Sequence, residues 1–142
     1  MCGIFGYVGK DRDVAGLVLD GLKRLEYRGY DSWGVAVVTD EGINLTKQVG
    51  KIGDAQVNMP DSFLGFGHTR WATHGGVTDY NAHPHLDCTG RIAVIHNGII
   101  ENFSELRNKL LSQGHKLRSE TDTEVVAHLL EEETKGLGSD PA

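Results

Sequence analysis

Apolar and polar positions along the first half of the chain predict four strands and one helix. The predicted strands cover residues 2–8, 33–39, 43–49 and 63–72. A polar turn separates the second strand from the third, which predicts a hairpin. After Asp13, a residue suited to capping, apolar side chains recur every three or four positions, so a helix is predicted that ends at Gly29.

The second half of the chain predicts one more strand followed by two helices. The fifth strand is expected from Arg91 to Ile100. Two helix starts have the spacing of a capping box, with Glu three residues after the capping residue. They are Asn102 with Glu105 and Thr121 with Glu124. The helices run to Gly114 and to about Lys135, and this order of strands and helices predicts an α+β layered fold.

The amino-acid composition limits the classes of protein and partner that are compatible with the chain. The chain has 142 residues, 39% of them apolar and 24% charged, which is ordinary for one globular domain. A net charge of -6 argues against nucleic acid as a partner. Two isolated cysteines and no secretory pattern favour a reducing, cytoplasmic compartment. No apolar run approaches the roughly 18–20 residues of a membrane span, so no membrane association is expected.

Cys2 is the first candidate for chemistry. Removal of Met1 would leave a thiol and a free α-amine on one residue, and a neutral amine can act as the base that activates the thiol. Nucleophile and base would then come from the same position. The alternative is that Cys2 is a small buried apolar residue of the first strand.

Arg70 and Asp122 together suggest recognition of an α-amino acid. The guanidinium fork suits a carboxylate, and a carboxylate suits an ammonium group. Two alternatives stay open: Arg70 could lie at the surface of an edge strand, and Asp122 could serve only a helix N-terminus.

Asn97 and Gly98 could form an oxyanion hole. A side-chain N–H next to a glycine backbone N–H can stabilise a tetrahedral intermediate. The alternative is a tight turn, for which Asn-Gly is a strong signal. Two isoleucines and a helix cap follow, which is not the pattern of a hairpin, so the catalytic interpretation is favoured.

Several histidines invite a zinc interpretation, but no metal-binding motif or cysteine pair accompanies them. They are His68, His74, His83, His85 and His96. Histidines that satisfy hydrogen bonds in loops explain them better, so we predict no metal and no cofactor.

Six segments, in this order and together covering nearly the whole chain, closely resemble the glutaminase domain of the glucosamine-6-phosphate synthase family. That family belongs to the class II glutamine amidotransferases, which are N-terminal-nucleophile hydrolases. The segments begin at Met1, Leu25, His68, Asn81, His96 and Ser119. The resemblance implies an αββα sandwich, glutamine as the substrate, and ammonia passed on to make glucosamine 6-phosphate from fructose 6-phosphate.

The resemblance also implies roles for single residues. Cys2 would be nucleophile and base, and Asn97 with Gly98 the oxyanion hole. Arg70 would hold the carboxylate of glutamine and Asp122 its ammonium group. The remaining substrate-binding residues would be Trp71, on a mobile loop, with Thr73, His74 and His83, and Arg28 would support the site.

Further expectations concern the extent of the chain and its departures from the family pattern. Residues 1–142 should be the N-terminal part of the glutaminase domain, leaving the sandwich incomplete and the isomerase domain absent. The full-length enzyme would be a homodimer. The alternative is an inactive fragment that only binds glutamine or self-associates. Trp33 stands where the family has a small residue, and a retained Met1 would block the base.

Overall fold

The computed structural model describes residues 1–73 and 75–135 of the chain. The strands are β1 (Gly3–Val8), β2 (Ser32–Thr39), β3 (Gly42–Val49), β4 (Leu64–Arg70), β5 (His85–Leu86) and β6 (Ala93–Val94). The helices are α1 (Val14–Leu25), α2 (Phe103–Ser112) and α3 (Glu124–Thr134), and a short 3-10 turn at Glu26–Arg28 follows α1. None of these helices is long and apolar enough to cross a membrane.

The main sheet has four antiparallel strands in the order β1-β4-β2-β3. The predicted hairpin is confirmed, because β2 pairs with β3 along its whole length. β4 comes later in the chain yet lies between β1 and β2, with Thr69 opposite both Gly3 and Trp33. This crossover brings the start of the chain beside the end of β4.

Helix α1 covers one face of the sheet. Asp13 caps it as predicted, since its Oδ1 accepts a hydrogen bond from the Gly16 N–H at 3.0 Å. Alternate residues of β2 point toward the helix, and they form a buried core with apolar residues of α1. Trp33 belongs to that set and is 1% exposed, so its bulk fills the core between α1 and the sheet.

Glycines in β4 let α1 approach the sheet closely. A Cβ atom on Gly67 would lie 2.7 Å from the Gly34 carbonyl oxygen and 2.7 Å from Leu22 Cδ1. A Cβ atom on Gly65 would lie 2.6 Å from Val14 Cγ1. The high glycine content therefore has a packing reason in this layer.

The predicted fifth strand, Arg91 to Ile100, is wrong. Only Ala93–Val94 is paired, with Leu86 and His85, in a second sheet of two short strands. Residues 95–100 form no strand, and the Ile100 N–H donates to Asp122 Oδ2 at 2.6 Å.

Both predicted capping boxes are also wrong, although both helices exist. Asn102 makes no capping hydrogen bond through its side chain, and α3 begins at Glu124. The Glu124 carboxylate accepts hydrogen bonds from the N–H groups of Arg118 and Ser119, each at 2.7 Å. It therefore fixes the loop before the helix and is not free to cap Thr121.

The glycine packing predicts an asymmetry between two substitutions in the same sheet. Gly67→Ala should lower the free energy of unfolding by about 1–3 kcal/mol, because the new methyl group meets backbone as well as side chain. Gly6→Ala is the matched control, since its Cβ atom would meet its nearest neighbours at 3.6 and 3.7 Å, and it should change stability by less than about 0.5 kcal/mol. Urea denaturation measures both, and equal losses would contradict this packing.

Candidate active site

A cavity of about 470 Å³ opens where β1 and β4 meet the loop before α3. It gathers the sequence-predicted site residues from segments far apart in the chain. Those residues are Cys2, Arg28, Arg70, Trp71, Thr73, His83, Asn97, Gly98 and Asp122. His74, the remaining one, lies outside the described residues. Further lining residues that sequence reasoning did not single out for the site are Met1, His96, Ile99, Thr121 and Thr123.

The Cys2 thiol lies against the backbone just past the end of β4. Its Sγ atom accepts a hydrogen bond from the Trp71 N–H at 3.2 Å and lies 3.7 Å from the Trp71 carbonyl oxygen. The Gly3 N–H donates to Thr69 Oγ1 at 3.1 Å, which anchors the residue after the cysteine. These contacts hold the sulfur at a fixed position beside the end of β4.

Asn97 is oriented by a buried histidine. Its Oδ1 lies 2.8 Å from His68 Nε2, and its amide nitrogen donates to the Cys2 carbonyl oxygen at 3.3 Å. Burial lowers the pKa of His68 to about 4, so the ring is neutral near pH 7. Because Asn97 Oδ1 can only accept a hydrogen bond, the single proton of the neutral His68 ring lies on Nε2. The Asn97 amide N–H groups therefore face Cys2.

Three histidines pack together behind this asparagine. His83 stacks on His68 with ring centroids 4.3 Å apart, and it meets His85 edge to face at 4.5 Å. Burial lowers the pKa of His85 to about 3 and lowers that of His83 further, so the group is uncharged. His85 Nε2 is also within 2.8 Å of Thr121 Oγ1. The rings are held by stacking and by the hydrogen bonds of His68 and His85, while the buried Nδ1 atoms of His68 and His83 have no hydrogen-bond partner. Within residues 1–73 and 75–135 the three histidines do not bring three ligand atoms together for a metal.

Arg70 and Asp122 supply opposite charges to the cavity, and both are largely buried, at 3% and 5% exposure. The Arg70 guanidinium donates to the carbonyl oxygens of Gly76 and Gly75 at 3.0 and 3.4 Å. Asp122 accepts the Ile100 N–H, which ties its carboxylate to the segment that carries Asn97 and Gly98. A cation and an anion fixed across one cavity suit a zwitterionic ligand.

Three residues that sequence reasoning missed hold the loop around Arg70. Asn81 Nδ2 donates to the Gly76 carbonyl oxygen at 2.9 Å and to Glu120 Oε2 at 3.0 Å. Glu120 Oε2 also accepts the Gly76 N–H at 3.1 Å. Asp31 accepts a hydrogen bond from the Ala72 N–H. Asn81 and Glu120 stand inside segments already singled out, but nothing in their spacing indicated that they pair.

Trp71 is exposed, at 48%. Its ring meets Tyr30 edge to face, with centroids 5.5 Å apart. It stands at the rim of the cavity, beside the thiol that its own backbone holds.

Comparison with known proteins shows the family to which the chain belongs. A family model described as glutamine amidotransferase domain matches residues 47–138. A Streptomyces coelicolor protein named glutamine–fructose-6-phosphate aminotransferase (isomerizing) is 60% identical over 94% of this chain, and one of that name from Pyrococcus horikoshii is 54% identical over 98%. The chain spans only 22% and 24% of these relatives.

Two solved structures share the fold. One is a glutamine phosphoribosylpyrophosphate amidotransferase from B. subtilis complexed with ADP and GMP, with a TM-score of 0.74 and 26% identity. The other is an allosteric regulatory enzyme of purine biosynthesis, with a TM-score of 0.77 and 29% identity. Each alignment covers 92% of this chain and 29% of the other. These neighbours confirm the predicted α+β class of the N-terminal-nucleophile type, in which the short β5 and β6 leave the second sheet incomplete among the described residues.

The burial of His68 predicts a pH dependence of stability. Its folded pKa of about 4 lies below the ordinary value near 6.5, so the unfolded chain takes up a proton that the folded chain lacks. The free energy of unfolding should therefore fall as pH drops from 6.5 to 4, by up to about 3 kcal/mol from this residue. His83 and His85 act in the same direction.

Urea denaturation at several pH values, on the wild type and on His68→Gln, measures this contribution. The free energy of unfolding of the variant should fall less steeply with decreasing pH, because its unfolding takes up about one proton fewer. This holds whatever the stability of the variant at neutral pH. Identical slopes for the two proteins would contradict the assignment of a neutral, buried His68.

Proposed function

The chain belongs to the glutamine amidotransferase domain family, and we propose that it hydrolyses the side-chain amide of glutamine to glutamate and ammonia. Residues 1–142 would be the N-terminal part of the glutaminase domain. The observation that carries the proposal is the convergence of Cys2, Asn97, Arg70 and Asp122 on one cavity. Nucleophile, oxyanion donor and both partners of an α-amino acid are the parts that this reaction needs.

The reaction starts from Cys2 with Met1 removed. The free α-amine takes the thiol proton, and Sγ attacks the δ-carbonyl carbon of glutamine. The N–H of Trp71, 3.2 Å from Sγ, positions the sulfur before attack. The carbonyl oxygen becomes an oxyanion that accepts hydrogen bonds from the Asn97 side chain and the Gly98 backbone.

Collapse of the tetrahedral intermediate breaks the carbon–nitrogen bond. The protonated α-amine gives its proton to the departing nitrogen, so ammonia leaves and a γ-glutamyl thioester remains on Cys2. Water then adds to the thioester, and glutamate departs as the thiol is restored. No step uses a metal or a cofactor.

Substrate selection rests on the two ends of glutamine. The Arg70 guanidinium would pair with the α-carboxylate and Asp122 with the α-ammonium group, while Trp71, Thr73, His74 and His83 complete the site. The guanidinium and the carboxylate are each fixed by backbone hydrogen bonds, so little side-chain freedom is lost when glutamine binds.

The names of the relatives suggest how the ammonia is used. We propose that in the whole protein it aminates fructose 6-phosphate to form glucosamine 6-phosphate, in the cytoplasm, by a homodimer. These steps require parts beyond this chain, since it spans less than a quarter of the relatives just named.

The first experiment combines intact-mass spectrometry of the chain with an assay of glutamate release. The mass should show that Met1 is removed, and an electrophilic glutamine analogue should add once. Glutamate release should be lost in Cys2→Ala, which should also fail to take up the analogue. A chain that lacks Met1, binds glutamine and releases no glutamate would instead establish the alternative of a binding-only fragment.

The oxyanion assignment is tested by Asn97→Ala. Loss of one donor should lower kcat about 10²–10³-fold with little change in KM, because the hydrogen bond strengthens only when the charge develops. Arg70→Lys is the contrasting variant, and it should act mainly on KM because the bidentate pair forms with bound glutamine. An Asn97→Ala enzyme changed in KM alone would contradict the role.

A further inference from the structure

A cluster of potential metal ligands lies outside the active-site cavity. It consists of Cys88, in the turn between β5 and β6, His115, in the loop after α2, and His128 with Glu131 on α3. His128 and Glu131 are three residues apart, so they project from the same face of the helix. The other two come from segments 27 residues apart in the chain, brought together by the fold.

Five of the six separations between donor atoms are close to those of a tetrahedral site, and all six are within 4.8 Å. The two Nδ1 atoms, of His115 and His128, are 3.1 Å apart, and Cys88 Sγ lies 3.5 and 3.4 Å from them. Glu131 Oε2 lies 3.2 and 3.5 Å from the same nitrogens. Ligands at ordinary zinc distances on a tetrahedron would be separated by about 3.3–3.6 Å.

The outer nitrogens of the two rings have different surroundings. His115 Nε2 bonds to the Glu132 carboxylate, which directs its Nδ1 atom into the cluster. His128 Nε2 lies 3.7 Å from Glu124 Oε1 and has no hydrogen-bond partner. Both Nδ1 atoms and Glu131 Oε2 lie within 3.5 Å of one another, so a cation placed between them would be held by all three.

The surroundings also suit a metal. A carboxylate hydrogen-bonded to the remote nitrogen of a ligand histidine is the usual outer partner in metal sites. The Lys116 N–H donates to Cys88 Sγ at 3.4 Å, which holds the sulfur in place beside the two imidazoles. His115, His128 and Glu131 are buried while Cys88 is exposed, so an ion has a path from solvent.

We propose that Cys88, His115, His128 and Glu131 bind one Zn²⁺ ion in a tetrahedral site. One sulfur, two imidazoles and one carboxylate form a borderline-soft ligand set, which favours zinc over magnesium or calcium. Four protein ligands fill the coordination shell, so the site is structural. It ties the β5–β6 turn and the α2–α3 loop to α3, and it takes no part in glutamine hydrolysis.

The test uses the whole chain, made without a polyhistidine tag and stripped with a chelator. Elemental analysis after dialysis against Zn²⁺ should find one zinc per chain. Titration with Co²⁺ should give the intense visible bands of tetrahedral cobalt and a thiolate-to-cobalt charge-transfer band, both displaced by Zn²⁺. Retention of less than stoichiometric zinc, or an octahedral cobalt spectrum, would overturn the proposal.

Variants assign the ligands. Cys88→Ser should lose the charge-transfer band, whereas Cys2→Ser, its matched control at the other cysteine, should keep it. Glu132→Ala leaves all four ligands in place and should retain the band while weakening binding about 10–100-fold. Glu133→Ala, an exposed neighbour on the same helix, should bind like the wild type. A band that persists in Cys88→Ser would refute the site even if stoichiometric cobalt were bound.

Discussion

The antiparallel pairing of β1 with β4 is the constraint on which the rest of the structure depends. It sets Gly3 opposite Thr69, and the thiol of Cys2 therefore lies against the backbone of Trp71, 69 positions further along the chain. The same register places Arg70 at the edge of the cavity. It is stabilised by the close approach of α1, which the glycines of β4 permit. A one-residue shift of this pairing would move the nucleophile away from its N–H donor and turn Arg70 to the other face.

Around that junction three buried histidines are neutral, and two further polar side chains are held by backbone hydrogen bonds. His68, His83 and His85 are buried and neutral, and their cost is a loss of stability in acid. In return His68 fixes the Asn97 amide with its N–H groups toward Cys2. Backbone groups hold the side chains of Arg70 and Asp122 in place. Such preorganisation is the means by which an oxyanion hole acts without rearranging during the reaction.

The sequence predicted the elements whose signals are local. The β2–β3 hairpin and the Asp13 cap follow from alternation and from one capping residue. The candidate site residues came partly from motifs and partly from the resemblance to a family, and those that the structure describes line one cavity. The prediction for residues 91–100 failed because their apolar content resembles a strand while only Ala93–Val94 pairs with one, and the Ile100 N–H donates to the Asp122 side chain. The capping box at Thr121 failed for a related reason, since Glu124 is used by the loop before it. The ligand cluster around Cys88 has no local pattern at all.

Helix α3 connects the two polar regions of the molecule. Just before the helix, Asp122 and Thr123 line the candidate active-site cavity. One turn into the helix, His128 belongs to the group of potential metal ligands formed with Cys88, His115 and Glu131. Glu124 lies between these two regions. One of its carboxylate oxygens is near His128, and its two oxygens accept the N–H groups of Arg118 and Ser119. The same loop carries Glu120, which anchors Gly76 beside Arg70. An ion held by His128 and Glu131 would thus immobilise the helix whose first turn positions Asp122. The distance between the two charges that would bracket glutamine is set by packing and polar contacts outside the cavity.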